Sequence, residues 1–244
     1  MTASRRFHLS WPALIVALLA AAFCLRLGAW QLSRAAEKET LVENVRSRAD
    51  QAPVPLKQLL KMPDPAHYPV VLSGQFDNRY NLLLDNRVVD GVAGYYLLTL
   101  FNSDDHYALL VNRGWLPRGR RRAVLPEIEP INGHVTITGH SYLYSSKTFT
   151  LAEDDLAQAQ WPLRVQKVEM QAIGHLLGVE LAPFEIRVSP DATLESKTQL
   201  PRPWQDATEA IMGPQRHRAY ALQWFALATM ALVVFVAASF RKTA

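Results

Sequence analysis

The sequence predicts an α+β protein. Two transmembrane helices flank a β-rich extracytoplasmic domain, a curved antiparallel sheet or partial barrel with short helices. Three observations lead there. Ala219 to Phe240 is 22 residues without a charge, and about 20 helical residues cross a hydrocarbon core. Trp11 to Leu25 is a second apolar run behind Arg5 and Arg6. Between them, alternating apolar and polar residues dominate, which is the strand period. The expected layout is a cytoplasmic N-terminus over 1–10, a transmembrane helix over 11–31, the domain over 32–216, a second transmembrane helix over 217–240 and a cytoplasmic C-terminus over 241–244.

The first run is short for a span. It extends through Leu27-Gly-Ala-Trp30 if Arg26 snorkels or faces protein. The competing reading is a cleaved signal peptide, because Ala20-Ala-Ala22 resembles a cleavage site. Apolar character continues past Ala22, which favours the span. Phe23 is too bulky for lipoprotein processing at Cys24. Arg5, Arg6, Arg241 and Lys242 favour termini inside and the domain outside, although Arg26, Arg34, Lys38, Arg216 and Arg218 crowd the other end of the runs.

Leu32, Ala35, Ala36, Leu41 and Val45 then keep helical spacing. Pro53, Pro55, Pro63, Pro65 and Pro69 break it. A strand through Val70-Val-Leu72 leads to Phe76. Asp77-Asn-Arg79 reads as a turn, and Tyr80 to Leu84 as a second strand. Gly94 to Phe101 and His106 to Asn112 read as a hairpin around Asn102-Ser-Asp-Asp105. His134 to Tyr144 and Phe184 to Val188 alternate as strands. Thr150-Leu-Ala-Glu153 has capping-box form and opens a helix that ends before Pro162. Val165, Val168, Ala172 and Leu176 share a helical face that ends at Gly178.

The loop from about Val45 to Ala210, about 165 residues, is long enough for its own core. Net charge is +4 and the one cysteine lies in the first apolar run, so the domain has no disulfide. With two spans, the basic excess points to the lipid bilayer and not to nucleic acid.

Local chemistry is sparse. Gly139-His-Ser-Tyr-Leu143 lacks the second glycine of a nucleophile elbow and reads as a strand exit. Glu153, Asp154 and Asp155 are neighbours that suit a helix N-terminus better than one substrate. No phosphate loop, dinucleotide fingerprint or zinc spacing occurs. The seven histidines are scattered, so no local metal site is expected, and no catalytic constellation marks an enzyme. Asn112-Arg-Gly-Trp-Leu-Pro-Arg-Gly-Arg-Arg-Arg122 is the densest cationic stretch; it binds an anionic partner or is a solvated loop after a strand. Gly114 in it suggests unusual backbone dihedrals. His217 opens the second span. Neutral imidazole is a common axial ligand to heme iron, and the alternative is a histidine that merely stays wet at the interface.

Several blocks resemble the Surfeit locus protein family of cytochrome c oxidase assembly factors: Leu27-Gly-Ala-Trp-Gln-Leu-Ser-Arg-Ala-Ala-Glu-Lys38, Gly74-Gln-Phe76, Gly94-Tyr-Tyr-Leu-Leu-Thr-Leu-Phe101, Leu110-Val-Asn-Arg-Gly-Trp-Leu-Pro117 and His217-Arg-Ala-Tyr-Ala-Leu-Gln-Trp-Phe225. They occur in family order. Trp161-Pro-Leu-Arg-Val-Gln166 departs from relatives that carry an aromatic and an acidic residue after the matching tryptophan. The resemblance implies a multi-pass protein of the bacterial inner (cell) membrane with its main domain periplasmic. It implies a role as a chaperone of cytochrome c oxidase maturation, with oxidase subunits and the heme a synthesis machinery as partners. Bacterial relatives are implicated in supplying heme a to the large oxidase subunit, and a histidine at their second span is proposed to hold it. The matching residue is His217, with Arg216 and Arg218 placed to pair with propionates and the two spans offering a groove for the farnesyl tail. A cofactor-free scaffold that binds an oxidase subunit, or an unrelated membrane-anchored enzyme, are the alternatives.

Overall fold

Apolar runs and alternating runs fold here into separate bodies. The computed structural model describes residues 5–7, 9–119, 121, 123–144, 160–194, 198–204 and 213–242. In chain order the elements are β1 (Arg5–Phe7), α1 (Trp11–Ala49), α2 (Leu56–Leu59), β2 (Pro69–Val89), β3 (Val92–Ser103), β4 (Ala108–Pro117), β5 (His134–Tyr142), β6 (Leu163–Val165), α3 (Met170–Leu177), β7 (Leu181–Val188), α4 (Pro214–Ser239) and β8 (Phe240–Lys242). They divide into two units, Met1–Asn44 with Thr208–Ala244, and Val45–Ala207. The helix expected from Thr150, with Glu153, Asp154 and Asp155, lies outside the described residues, as do Arg120 and Arg122.

The first unit is a pair of helices, each long and apolar enough to cross a membrane. At 1.5 Å per residue α1 is about 58 Å long, so it outruns any hydrocarbon core, about 30 Å thick. Helical spacing at Leu32, Ala35 and Leu41 is realised as an unbroken continuation of α1. Pro214 sits in the first turn of α4, where its missing N–H costs nothing. The pair hides small residues and exposes large ones. Ala17, Ala21, Gly28 and Ala35 are buried on α1, while Ile15, Val16, Leu18, Leu19 and Phe23 are exposed. Ala221 and Ala228 are buried on α4, while Leu222, Met230, Val233 and Val234 are exposed. Water would drive the reverse; close backbone approach with an apolar exterior is the packing of helices in lipid. β1 and β8 pair antiparallel, Arg6 opposite Arg241, so the outer ends of the two helices are joined.

The second unit is a ring of strands. β2 pairs with β3, β3 with β4, β4 with β7, β7 with β5, and β5 with β2 again. The expected partial barrel is thus closed, by one 21-residue strand that serves both sides. Pro69 to Gln75 pair with β5, and Gly74 to Val89 pair with β3. The sheet is mixed where an antiparallel one was expected: β4 with β7 and β2 with β6 are parallel. Parallel partners need a long crossover, and the chain between β4 and β7 supplies it.

Asp77-Asn-Arg79 is a correction. It is no turn but a register shift within β2, between Asp77 and Asn81. The polar side chains bind locally instead of reversing the chain. Asn78 exchanges two hydrogen bonds with the Ile131 backbone, at 2.8 and 3.0 Å, and Arg79 donates to the Asp77 carboxylate at 2.7 Å. A second correction concerns the helix from Val165. Leu163 and Val165 are strand residues beside Leu82 and Leu84, and the helix begins only at Met170. It ends as expected at Gly178, whose φ of +69° is left-handed. A third is that Asn112 to Pro117, expected beyond the strand, belongs to β4.

One face of all five ring strands contributes to a single core, with Val70, Phe76, Phe101, Val111, Ile137, Phe184 and Ile186, joined by Leu56 and Leu59 of α2. The opposite faces of β2, β3 and β4 form a second core with β6 and α3, including Leu82, Leu98, Leu110, Val165 and Ile173. Strand β3 is therefore buried on both faces, which explains its continuous apolar run from Tyr95 to Leu98.

Candidate functional site

The residues singled out at the second span stand on the first turns of α4. The covered side of that helix is His217, Ala221, Trp224, Ala228 and Ala231. It meets a seam on α1 with steps of three and four: Leu14, Ala17, Ala21, Cys24, Gly28, Gln31 and Ala35. That spacing keeps one stripe of a helix facing its partner. At Gly28 a side chain would run into the Phe225 ring. Phe23 meets Trp224 edge to face, 6.5 Å between centroids.

The seam carries one polar pair. His217 Nδ1 lies 2.7 Å from Gln31 Oε1. An amide oxygen only accepts, so Nδ1 is the protonated nitrogen and donates. In the neutral ring this contact selects the Nδ1–H tautomer, which carries the lone pair on Nε2. Histidines that bind metals are held this way, with one ring N–H donated to an acceptor so that the other nitrogen is oriented and more basic. His217 is half-buried, so its ring is neither sealed in the seam nor fully wet.

The neighbouring arginines differ. Arg218 Nη2 forms an ion pair with Glu39 Oε1 at 2.6 Å, with both side chains more than two-fifths exposed. A pair so exposed is worth little, about 0–1 kcal/mol. Arg216 is exposed. The helix start thus brings a ligand-ready imidazole and two guanidinium groups within three successive residues. Gln31 does not stand out in the sequence, because a glutamine at the end of an apolar run reads as the exit from lipid.

The ring unit holds polar groups of another kind. Glu185, on β7, is fully buried. It accepts from Arg187 Nε at 2.7 Å and from Tyr144 Oη at 2.5 Å. The Arg187 guanidinium lies on the Tyr142 ring, 3.3 Å from its centroid, with Trp204 at 5.1 Å. Burial opposes the charge of Arg187, but Glu185, Tyr144 and Tyr142 together outweigh it and the pKa rises. Burial and then Glu185 push the Tyr144 hydroxyl well up. A buried charge must be paired, and this one is. The alternation of Phe184, Ile186 and Val188 marked one face of β7 but gave no sign that the other was covered.

The basic stretch divides. Arg113 is no solvated residue: it is only 3% exposed. Its Nη2 donates to the Glu129 carbonyl at 2.7 Å, and burial lowers its pKa to about 10. Arg202 donates to the Arg113 carbonyl at 3.0 Å and to Ser189 at 2.8 Å, stapling residues 198–204 to the ring. Gly114 has φ of +143°, and a side chain there would meet Leu200 and the Pro201 carbonyl. Arg118 is half-exposed and Arg121 exposed.

A third assembly surrounds the last turn of α1 within the same unit. Arg48 pairs with Asp64 at 2.7 Å and donates to the Ala66 carbonyl. His67 and His140 are half-buried beside it, and burial lowers the pKa of each.

Similarity to known proteins agrees with this arrangement. The chain is 25% identical to a SURF1-like protein of Rickettsia felis over 225 residues, 91% of this chain and 94% of that protein. It is 26% identical to human Surfeit locus protein 1 over 189 residues, 70% of this chain and 60% of the human protein. With the mouse Surfeit locus protein 1 it shares 26% identity over 226 residues, 86% of this chain and 70% of that protein. The family model for the SURF1 family matches residues 18–229, from within the first helix, across every strand of the ring, to within the second helix; the chain belongs to the SURF1 family.

Proposed function

We propose that the protein is a membrane-anchored assembly factor for cytochrome c oxidase that holds heme a in transit to the large oxidase subunit, with His217 as an axial ligand. The observation that supports this is the His217–Gln31 bond. It leaves the Nε2 lone pair free on a half-exposed ring at the start of an apolar helix. A neutral imidazole is a fitting ligand for heme iron. The apolar exteriors of α1 and α4 suit a farnesyl tail. Arg216 and Arg218 suit propionates, Arg218 by exchanging Glu39 for a propionate. The heme supplies the redox iron of the oxidase; the chain binds, orients and shelters it. A single imidazole bond suits cargo that must leave again.

On this reading the partners are oxidase subunits and the heme a synthesis machinery, and the protein is a carrier, not an enzyme. The location is the bacterial inner membrane, with Val45–Ala207 periplasmic and both termini cytoplasmic. Pairing of β1 with β8 supports a hairpin whose ends share one side.

The test is an absorption spectrum of the full chain purified after co-expression with heme a synthesis. A Soret band is expected in the wild type. His217→Ala should remove it while leaving the amount of membrane protein unchanged. A band that survives in the alanine variant sinks the ligand assignment. No band in either leaves a cofactor-free scaffold, binding an oxidase subunit through the ring unit, as the better reading.

A further inference from the structure

The hairpin tip of β2 and β3 is unlike the rest of the ring unit. Asp90 and Gly91 turn it, both with positive φ. On either side, Val88 is 64% and Val92 49% exposed. Ala93 lies on the face of β3 that carries Tyr95 and Leu97, because side chains alternate, and Val88 is its cross-strand partner. Tyr95, Leu97 and Leu83 form a buried cluster against which Leu116 and Leu125 pack. Val124, next to Leu125, is 61% exposed. The loop that carries it is fixed to the same hairpin, since Arg118 N–H donates to the Ala93 carbonyl at 2.9 Å. Exposed valines and the two arginines Arg118 and Arg121 therefore share one end of the ring unit. Neither guanidinium has an ion-pair partner among the described residues, and no acidic residue occurs between Pro117 and Val124.

We infer that this tip is a lipid-contacting surface: Val88, Val92 and Val124 enter the boundary of headgroups and acyl chains while Arg118 and Arg121 bind anionic headgroups. Apolar side chains beside two cations match that boundary, with Asp90 at the turn as the carboxylate they outnumber. A protein partner is the weaker match, because interface cores favour tyrosine, tryptophan and methionine, and the exposed residues here are short aliphatics. The domain is also continuous in sequence with two apolar helices. That tether raises the local concentration of lipid, so a contact too weak to recruit a free domain is sufficient here. The inference does not depend on heme.

The experiment uses the full chain in lipid nanodiscs. Cys24 is changed to Ser, and an environment-sensitive fluorophore is placed at Val88→Cys, with Val71→Cys on the β5 side of β2 as comparison. Discs carry a quencher on the lipid headgroup. In discs rich in phosphatidylglycerol, quenching at position 88 should exceed that at 71. It should fall in phosphatidylcholine alone and at high salt. Each arginine near an anionic surface changes the bound-to-free ratio about fivefold, so Arg118→Glu with Arg121→Glu should lower it by at least roughly 25-fold. Equal quenching at the two positions in every lipid overturns the inference. So does protection of position 88 from aqueous iodide without lipid quenching, which would assign the tip to a protein. If the charge-reversed protein loses secondary structure, Val88→Asp with Val124→Asp serves instead, and unchanged lipid quenching of a label at Val92→Cys would also overturn the inference.

Discussion

Replacing Gln31 by leucine isolates the hydrogen bond to His217 on which the proposed ligand role rests. Leucine is close in size and at home in an apolar seam, so the helix pair should persist. What disappears is the acceptor 2.7 Å from Nδ1. The imidazole then samples both tautomers and more rotamers. Loss of such an outer partner costs about 10- to 100-fold in metal affinity, or about 1.4–2.7 kcal/mol. Hemin titration of the purified protein, followed at the Soret band, measures this directly. The dissociation constant of Gln31→Leu should rise by that factor at unchanged protein level. Gln31→Glu, a stronger acceptor, should tighten binding. In the double variant with His217→Ala, the leucine change should add nothing, because its effect runs through the ring. If Gln31→Leu binds hemin within about twofold of wild type, a difference of about 0.4 kcal/mol, while His217→Ala does not bind, Gln31 has no positioning role.

Four further outcomes are expected. Glu185→Ala strands Arg187 in a buried site, so denaturant unfolding should show a loss of about 3–5 kcal/mol; a loss below about 1 kcal/mol would contradict the buried pairing. His67 and His140 have folded-state pKa values below the ordinary value of 6.5, so the unfolded chain binds more protons as pH falls. Their contribution is intact above about 6.5 and shrinks below it down to the folded-state pKa values; His67→Asn, which tolerates the positive φ, should flatten the melting temperature between pH 7 and 5.5 in proportion. Gly114→Val meets both the +143° φ and the Leu200 contact, and a strain of at least about 1–3 kcal/mol should lower the level of folded protein on a blot. A reporter that is active only outside the cytoplasm, fused after Ala244, should be silent; strong activity would overturn the hairpin topology.

The two helices were legible because composition alone specifies them: a run without charge has few other fates. The ring was legible as strands but not as a ring. Nothing local to Pro69–Val89 shows that its first residues pair with one strand and its later ones with another. Asp77-Asn-Arg79 has turn chemistry, and only the distant Ile131 backbone makes it a bulge. Leu163 to Val168 satisfies both periods, two and three to four, and pairing with Leu82 decided for strand. Arg113 looked solvated because arginine almost always is; the Glu129 carbonyl and the Phe76 ring that receive it come from elsewhere in the chain. His217 was legible as a candidate. Its partner was not, because the two lie 186 residues apart and meet only when the helices do.

Closure of the ring by β7 also sets an order of events during synthesis. β4 waits for a partner far downstream: Asn112 and Glu185 meet across 73 residues of sequence. Until Leu181–Val188 has been made, β4 and β5 each keep an open edge beside an unfinished core. Pairing over such separations is slow, and transiently open edges invite misassembly. The last strand of the ring is complete at Val188, and α4 begins only at Pro214. All the strands of the ring thus precede the second helix on the growing chain. A pause between Val188 and Pro214 should therefore favour the native protein, whereas slowing between β4 and β7 should expose it to aggregation and proteolysis.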